Sequence, residues 1–417
     1  MADSFRRYLF IDRYTFTKYI LGYLQIQLGV ILSVGIWAFS EVKLQAAQLH
    51  ENTNSLSSSP LNTNQYHLEL SKPLPYRFLI AAPENFNPDL RLPPPPPKPK
   101  PKPPENSSPP TTSTEPATPN AVLESIDTNY RYDTDNFGQT NLFIEPTLQF
   151  RLRNGNKIFF KTGFDFFDQR GVESVSNFPL QVGWQGKIGQ VTLQTAAGVD
   201  VFDRLPAAIN LNAKVEVPIL PARVSPSGQL RSLLVLSGNL EQGPYKSNAR
   251  TLENEISNWR FGPDLFWQID RNTSLFSSLR LGNYNDGNSE IQTFSRLERK
   301  FGQFSLAANL FTWSYDRDLE GTSGYFSPPD FLVYNAEVAW EGDIAKFLRC
   351  RLAANLGRQR LKGEFDNANT YQTRCTVKLS PNIEADLGYS FSNVRNQDTG
   401  ESAYGGNSFT GQLRVKF

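Results

Sequence analysis

The chain has 417 residues and a formal net charge of +1 at pH 7, enough for one large domain or two ordinary ones. Its 30 Phe, 16 Tyr and 6 Trp accompany a mean hydropathy of −0.43, which favours strands with one apolar face each over a large buried core. The only two histidines, His50 and His67, lie in the N-terminal third, and with two Cys in all we predict no enzyme, no cofactor and no metal site.

Residues 1–40 begin with basic side chains and continue with an apolar run from about Ile20 to Phe39. This order is typical of a signal peptide for export, and Ala38-Phe39-Ser40 is an acceptable cleavage site. About 20 apolar residues also suffice to cross a bilayer, so an uncleaved anchor remains the alternative.

Residues 41–120 show no sustained periodicity and contain the proline-rich run Pro93–Pro104, in which lysines alternate with prolines near the end. Such a run favours extended polyproline II, and the Ser/Thr/Pro tract that follows buries too little apolar surface to fold. We predict a disordered Pro-rich linker in the periplasm. It is either a plain spacer or a cationic rod that contacts an anionic layer such as peptidoglycan.

From about residue 121 to the end, apolar and polar side chains alternate with a period of two, as between Leu142 and Leu152. Asn154-Gly155 then marks a hairpin turn before the next alternating run. Segments of roughly 8–13 residues match the length of a tilted membrane strand. The fold class predicted for residues 121–417 is therefore all-β, a transmembrane antiparallel β-barrel of about sixteen strands.

The last strand, Ser408–Phe417, places apolar residues on one face and ends on an aromatic residue. Chain ends usually fray into water, so a terminal Phe favours the closing strand of a membrane barrel. We predict that Phe417 is an assembly signal read by the barrel-assembly machinery. Tight turns on the side of Phe417 and long polar loops on the other side favour the outer membrane of a Gram-negative-type bacterium.

The segment Gly324-Tyr325-Phe326-Ser327-Pro328-Pro329 precedes a predicted strand that ends at Glu341. It resembles the Gly-Tyr-Phe-Ser-Pro-Gln signature in the C-terminal barrel of the cellulose synthase operon protein C family, and the next strand, Phe347–Leu361, is also similar. The resemblance implies a sixteen-stranded outer-membrane barrel that exports a nascent polysaccharide. In this chain the proline-rich segment stands where that family has helical repeats.

Because this motif comes before a strand from the outer side, we predict that Gly324, Tyr325, Phe326, Ser327 and Pro328 form a gating loop folded over or into the mouth. Gly and Pro in a loop are also explained by turn chemistry alone.

The alternation also predicts which side chains face the lumen as a substrate path. They are Arg349, Arg351, Arg374, Lys378, Arg414, Lys416, Glu337, Glu384, Asp386, Phe159, Phe167, Phe311 and Trp313. Opposite charges on neighbouring strands either pair across a packed lumen or line a wet channel. Inward aromatic rings suit sugar faces, whereas fixed charges suit small ions.

Cys350 and Cys375 lie on consecutive antiparallel strands and both face outward in the alternation. If they stand directly opposite each other they are within reach of a disulfide; otherwise they are two apolar thiols facing lipid.

The leading functional prediction is a channel that exports a cellulose-like glycan made by an inner-membrane synthase. The alternatives are a general diffusive porin for small solutes and a structural barrel that tethers the outer membrane to the cell wall. The expected partners are outer-membrane lipid, the barrel-assembly machinery and the glycan chain, with the synthase complex and peptidoglycan as further candidates. No nucleic-acid partner is predicted.

Overall fold

The structure is a computed structural model, and it describes residues 121–136, 138–225, 230–392 and 405–417. The predicted signal peptide and the proline-rich linker lie outside the described residues.

All the strands belong to one antiparallel sheet. They are β1 (Ala121–Asp135), β2 (Gln139–Leu152), β3 (Lys157–Thr162), β4 (Phe164–Gln169), β5 (Val172–Ile188), β6 (Val191–Phe202), β7 (Ala208–Val224), β8 (Leu230–Pro244), β9 (Ser257–Gln268), β10 (Thr273–Tyr284), β11 (Ser289–Phe301), β12 (Phe304–Tyr315), β13 (Phe331–Ala345), β14 (Leu348–Leu361), β15 (Glu364–Ser380), β16 (Ile383–Ser392) and β17 (Gly406–Lys416).

The sheet closes on itself because β1 pairs with both β2 and the final strand, β17. Ser125 lies opposite Lys416 in the closing pair, and the Phe417 amide donates to the Glu124 carbonyl at 3.1 Å. Closure removes the free sheet edges that a membrane would leave without hydrogen-bond partners. The predicted closed antiparallel barrel, with both ends at one rim, is confirmed.

Strands β3 and β4 are two halves of one barrel strand, since each pairs with β2 on one side and β5 on the other. They separate at Gly163, where an added Cβ would lie 2.4 Å from the Ile144 carbonyl oxygen. A glycine is therefore required at this close approach. Counting the two halves as one gives the sixteen barrel strands predicted from the sequence.

The two rims differ in their connections. The terminal rim, which holds the two ends of the barrel, has short turns such as 189–190, 302–303 and 381–382. The opposite rim, here called the loop rim, carries the longer segments 245–256 and 316–330. The predicted asymmetry between tight turns and long loops is thus present in the described residues.

The outer face of the barrel is apolar. On β5 the side chains of Phe178, Leu180 and Val182 are about half exposed, while Asn177, the residue before Phe178 on the same strand, is fully buried on the inner face.

On β14 and β15 the outward Cys350 and Cys375 stand directly opposite each other, with their Cα atoms 4.1 Å apart, and form a disulfide. The disulfide considered from the sequence is confirmed.

Two short helices lie in the long loops: α1 (Ala249–Glu253) in 245–256 and α2 (Glu320–Ser323) in 316–330. Neither of them, nor any other helix within the described ranges, combines the length and the apolar character needed to span a membrane.

Candidate functional site

The predicted gating motif lies at the mouth of the barrel and is buried. Tyr325 is fully buried and stacks on Tyr284 of β10, with ring centroids 4.9 Å apart. Its hydroxyl donates to Asp286 Oδ2 at 2.9 Å and accepts from Asn288 Nδ2 at 3.1 Å. Phe326 packs edge-on against Trp313 of β12. The loop is therefore anchored to inward aromatic residues of the barrel wall.

The backbone of the motif explains two of its residue types. Gly324 ends α2 in the left-handed conformation, with φ 84°, and an added Cβ would lie 2.8 Å from a side-chain atom of Arg250. The Ser327 hydroxyl accepts from the Leu319 amide at 2.7 Å, and the Pro328 carbonyl accepts from the Tyr315 amide at 2.9 Å. The glycine and proline of this motif therefore serve the turn, as turn chemistry predicts, and the same loop is also buried in the mouth of the barrel.

A second loop, 245–256, also enters the mouth, and sequence reasoning did not single it out. Its helix α1 starts at Asn248, whose side-chain oxygen accepts from the Thr251 amide at 2.8 Å. Ala249 and Leu252 are buried against the inward side chains Phe143, Phe167 and Val175 on the β2–β5 wall. This loop therefore covers the β2–β5 wall, and its Tyr245 packs edge-on against Tyr325.

Loops 245–256 and 316–330 are joined by hydrogen bonds. Asn248 Nδ2 donates to the Gly324 carbonyl at 2.7 Å, and Arg250 Nη2 donates to the Gly321 carbonyl at 2.8 Å. Asn254 Nδ2 donates to the Thr322 carbonyl at 3.1 Å. Side chains of one loop thus bond to backbone of the other, and the pair forms a connected cover, here called the loop cover (245–256 and 316–330).

Lys246 ties the loop cover to two buried carboxylates of the barrel wall. Lys246 Nζ lies 3.0 Å from Asp165 Oδ2 and 2.5 Å from Asp200 Oδ1. Burial alone lowers the pKa of a lysine, but the two carboxylates outweigh burial and raise the pKa of Lys246 above its ordinary value. Lys246 therefore carries its charge at neutral pH.

The half of the lumen lined by β9–β14 is filled by paired charges. Arg296 donates to Glu337 through Nη1 at 3.0 Å and Nη2 at 2.6 Å, and to Glu298 at 2.7 Å. Arg351 adds a bond of 2.5 Å to Glu337. Nearer the loop rim, Arg260 pairs with Glu290 at 2.5 Å. These interior charges hold each other on the packed side of the barrel.

Most of the other residues predicted to face the lumen are also paired or packed. Arg374 pairs with Asp386 at 2.6 Å, Arg414 with Asp127 at 2.7 Å and Glu384 at 3.5 Å, and Arg349 with Glu341 at 2.9 Å. Phe159 fits over Gly183, Phe167 packs under α1, and Phe311 joins the aromatic cluster around Trp313, whose Nε1 donates to Glu290 at 2.9 Å. Lys378 and Lys416 are exposed near the terminal rim.

A polar cavity of about 250 Å³ lies beside these pairs in the lumen, lined by strands between β1 and β9 and by the loop cover, and Arg260 of β9 also reaches its wall. Its wall is rich in amides, including Asn129, Asn141, Gln181, Asn210, Asn212 and Asn258. Its charged side chains come in pairs, such as Arg131 with Asp133 at 2.8 Å and Lys161 with Glu145 at 2.9 Å. Within the described residues, none of the lumen residues predicted from the sequence lines this cavity.

The sequence contained part of the signal for the Lys246 contact beside this cavity. Asp165 stands between outward Phe164 and Phe166, so the alternation already places its carboxylate inside the barrel. Lys246, in contrast, lies in an irregular loop and has no periodicity that points to a partner. Its contact with Asp165 depends on the path of the loop.

Comparison with solved structures finds outer-membrane β-barrels. A structure described as "Bacterial polysaccharide outer membrane secretin" has a TM-score of 0.58 at 10% identity, covering 71% of this chain and 98% of that chain. CdiB from Acinetobacter baumannii has 0.45 at 9%, covering 72% and 60%, and OprD from Pseudomonas aeruginosa has 0.38 at 9%, covering 72% and 94%. At these identities the likeness concerns the fold alone, which is that of outer-membrane barrels.

No protein-family model and no curated protein matches the sequence. The resemblance to the cellulose synthase operon protein C family therefore stays a prediction.

Proposed function

We propose that this protein is an outer-membrane channel that exports a polysaccharide of cellulose-like type, made by a synthase at the inner membrane. The observation that carries the proposal is the loop cover, in which two loops bond to each other over a lumen that keeps a polar cavity. A channel for a polymer has to prevent leakage until a chain arrives, and loops that separate and re-form serve this purpose.

The chemistry of the cavity supports a sugar as the solute. Amide side chains both donate and accept hydrogen bonds, as hydroxyl groups do, and Phe143 and Tyr245 add aromatic surface for the apolar faces of sugar rings. The similarity in fold to a polysaccharide secretin and the Gly324–Pro328 motif point in the same direction.

Deletion of the gene in the producing organism tests the proposal. We expect the surface glycan to fall and to return when the full chain is supplied, while uptake of small solutes is unchanged. Unchanged surface glycan with reduced permeability to small solutes would replace this proposal with the diffusive porin. Unchanged glycan with a loosely attached outer membrane would favour the structural tether.

A further inference from the structure

Lys246 reaches from the loop cover into a pocket that the barrel wall supplies. Asp165 comes from β4 and Asp200 from β6, and their side chains are 0% and 1% exposed. Two buried carboxylates side by side repel each other unless a cation lies between them. Here the cation is the primary ammonium group of Lys246.

The wall holds the two carboxylates in place without help from the loop. Asn177 Nδ2 donates to Asp165 Oδ2 at 2.8 Å and to Asp200 Oδ1 at 2.9 Å. Asn210 Nδ2 donates to Asp200 Oδ2 at 2.8 Å and is itself held by Gln181 at 3.0 Å. The two aspartates are thus positioned by residues of strands β5 and β7, which belong to the barrel wall and not to the loop cover.

The pocket also has acceptor atoms that the lysine does not use. Asp165 Oδ1 and Asn177 Oδ1 are buried and have no hydrogen-bond partner. Buried polar atoms are rarely left unpaired. An ammonium group has three N–H donors, so a ligand placed slightly differently from Lys246 can reach these oxygens as well.

The pocket opens on the polar cavity, because both Asp200 and Lys246 line it. Lys161, another cation on the cavity wall, is already paired with Glu145. If the loop cover lifts, Lys246 leaves with it, and the carboxyl groups of Asp165 and Asp200 lose the cation that the loop supplies.

We propose that Asp165 and Asp200 form a subsite for a primary ammonium group carried by the transported glycan, and that Lys246 occupies it as an internal ligand while the loop cover is closed. This inference rests on the proposed export function and narrows the substrate class to a glycan that contains free amino sugars, with an amine in place of a hydroxyl. An arriving ammonium group then competes with Lys246 and favours opening.

Binding of three oligosaccharides to the purified full chain in detergent tests the subsite: a glucosamine oligomer, its N-acetylated counterpart and a glucose oligomer of equal length. With Lys246→Met the subsite is vacant, and we expect affinity for the glucosamine oligomer to rise about tenfold or more, as for a charge-assisted hydrogen bond that is freed. Affinity for the two uncharged oligomers should not change. Lys157→Met is the matched control, because Lys157 pairs with Glu124 away from the cavity and Glu124 keeps Arg151 as a partner; the glucosamine affinity should stay near that of the wild type.

A second variant and a folding assay distinguish loss of the subsite from loss of the fold. Lys246→Met combined with Asp200→Asn should return the glucosamine affinity to the level of the uncharged oligomers, and each variant should keep the heat-dependent gel mobility of a folded barrel. Equal affinity for the glucosamine and N-acetylated oligomers in Lys246→Met overturns the subsite. If all three oligomers bind that variant equally, the subsite is lost while export of a neutral glycan still stands. If none binds and the deletion strain keeps its surface glycan, both proposals are lost.

Discussion

Glu337 illustrates what the buried charges of the lumen do. It accepts two bonds from Arg296 and a third from Arg351, and its side chain is 2% exposed. Desolvation of such ions is unfavourable, so the pairs contribute little net stability relative to an apolar core, but the loss of one partner leaves a charge buried and unpaired. The network therefore acts as a constraint on the shape of the packed half of the lumen.

Arg296→Met removes the central cation of this network and leaves Glu298 and Glu337 without it. We expect the free energy of unfolding to fall by about 3–5 kcal/mol, because two buried carboxylates lose their main partner. Urea unfolding in detergent measures the change. Arg360→Met is the control, since Arg360 pairs with Asp330 at 3.5 Å in an exposed position and its loss should change stability by about 1 kcal/mol or less. Equal effects of the two variants would contradict this account.

Substitution of Gly183 tests the packing of Phe159, one of the residues predicted to face the lumen. A Cβ added to Gly183 would lie 2.0 Å from the ring of Phe159, so Gly183→Ala forces that ring to move and should destabilise the barrel by about 1–3 kcal/mol. Gly238→Ala on β8 is the matched control, because nothing lies within 4 Å of the added methyl group. Adding Phe159→Leu to Gly183→Ala should restore part of the lost stability; no restoration would mean that the clash is not with this ring.

At the scale of the strands, alternation alone predicted much of what the structure contains. The inward position of Glu337, the outward position of Cys350 and the turn at Gly155 all follow from a period of two and from the residues that turns require. The split between β3 and β4 at Gly163 was not predicted, because the alternation continues through it.

The cavity was beyond sequence reasoning for a physical reason. Alternation assigns each side chain to the inner or the outer face, but it contains no information on which inner side chains meet across the lumen. Trp313 and Arg131 are both inward, yet the first is packed under Phe326 and the second lines the cavity. That difference depends on the path of loops 245–256 and 316–330, whose sequences show no regular alternation of apolar and polar residues.

The loop cover makes a prediction at this scale for the conductance of a planar bilayer. Wild-type protein should conduct poorly, and removal of residues 321–329 should raise conductance, since the deleted backbone supplies the carbonyls bonded by Asn248, Arg250 and Asn254. Tyr325→Ala should give a smaller rise through loss of the stacking on Tyr284.

Thr322→Ala is the control for this experiment. Thr322 is exposed and contributes to the contact between the loops through its carbonyl, which the substitution retains. Its conductance should match that of the wild type. A wild-type channel that is already wide open, with no change on deletion, would favour the diffusive porin and remove the loop cover as a gate.

At the scale of the whole molecule, the barrel is closed by its last strand, and the role of the last residue can be separated from the stability of the barrel. Phe417 contributes its amide to the Glu124 carbonyl, but its side chain is 68% exposed at the terminal rim. A side chain with so little burial contributes little to folding. The predicted role of Phe417 as an assembly signal can therefore be tested separately from the stability of the barrel.

Phe417→Ser should therefore lower the amount of assembled barrel in cells several-fold, while urea unfolding of the refolded protein changes by no more than about 0.5 kcal/mol. Heat-dependent gel mobility of outer-membrane fractions measures assembly. Phe347→Ser is the matched control, because Phe347 is 57% exposed at a turn on the same rim but is internal to the chain. We expect normal assembly of this control. An equal loss of assembly in both variants would show that exposed aromatic residues at the terminal rim act alike, and the terminal position of Phe417 would then have no special role.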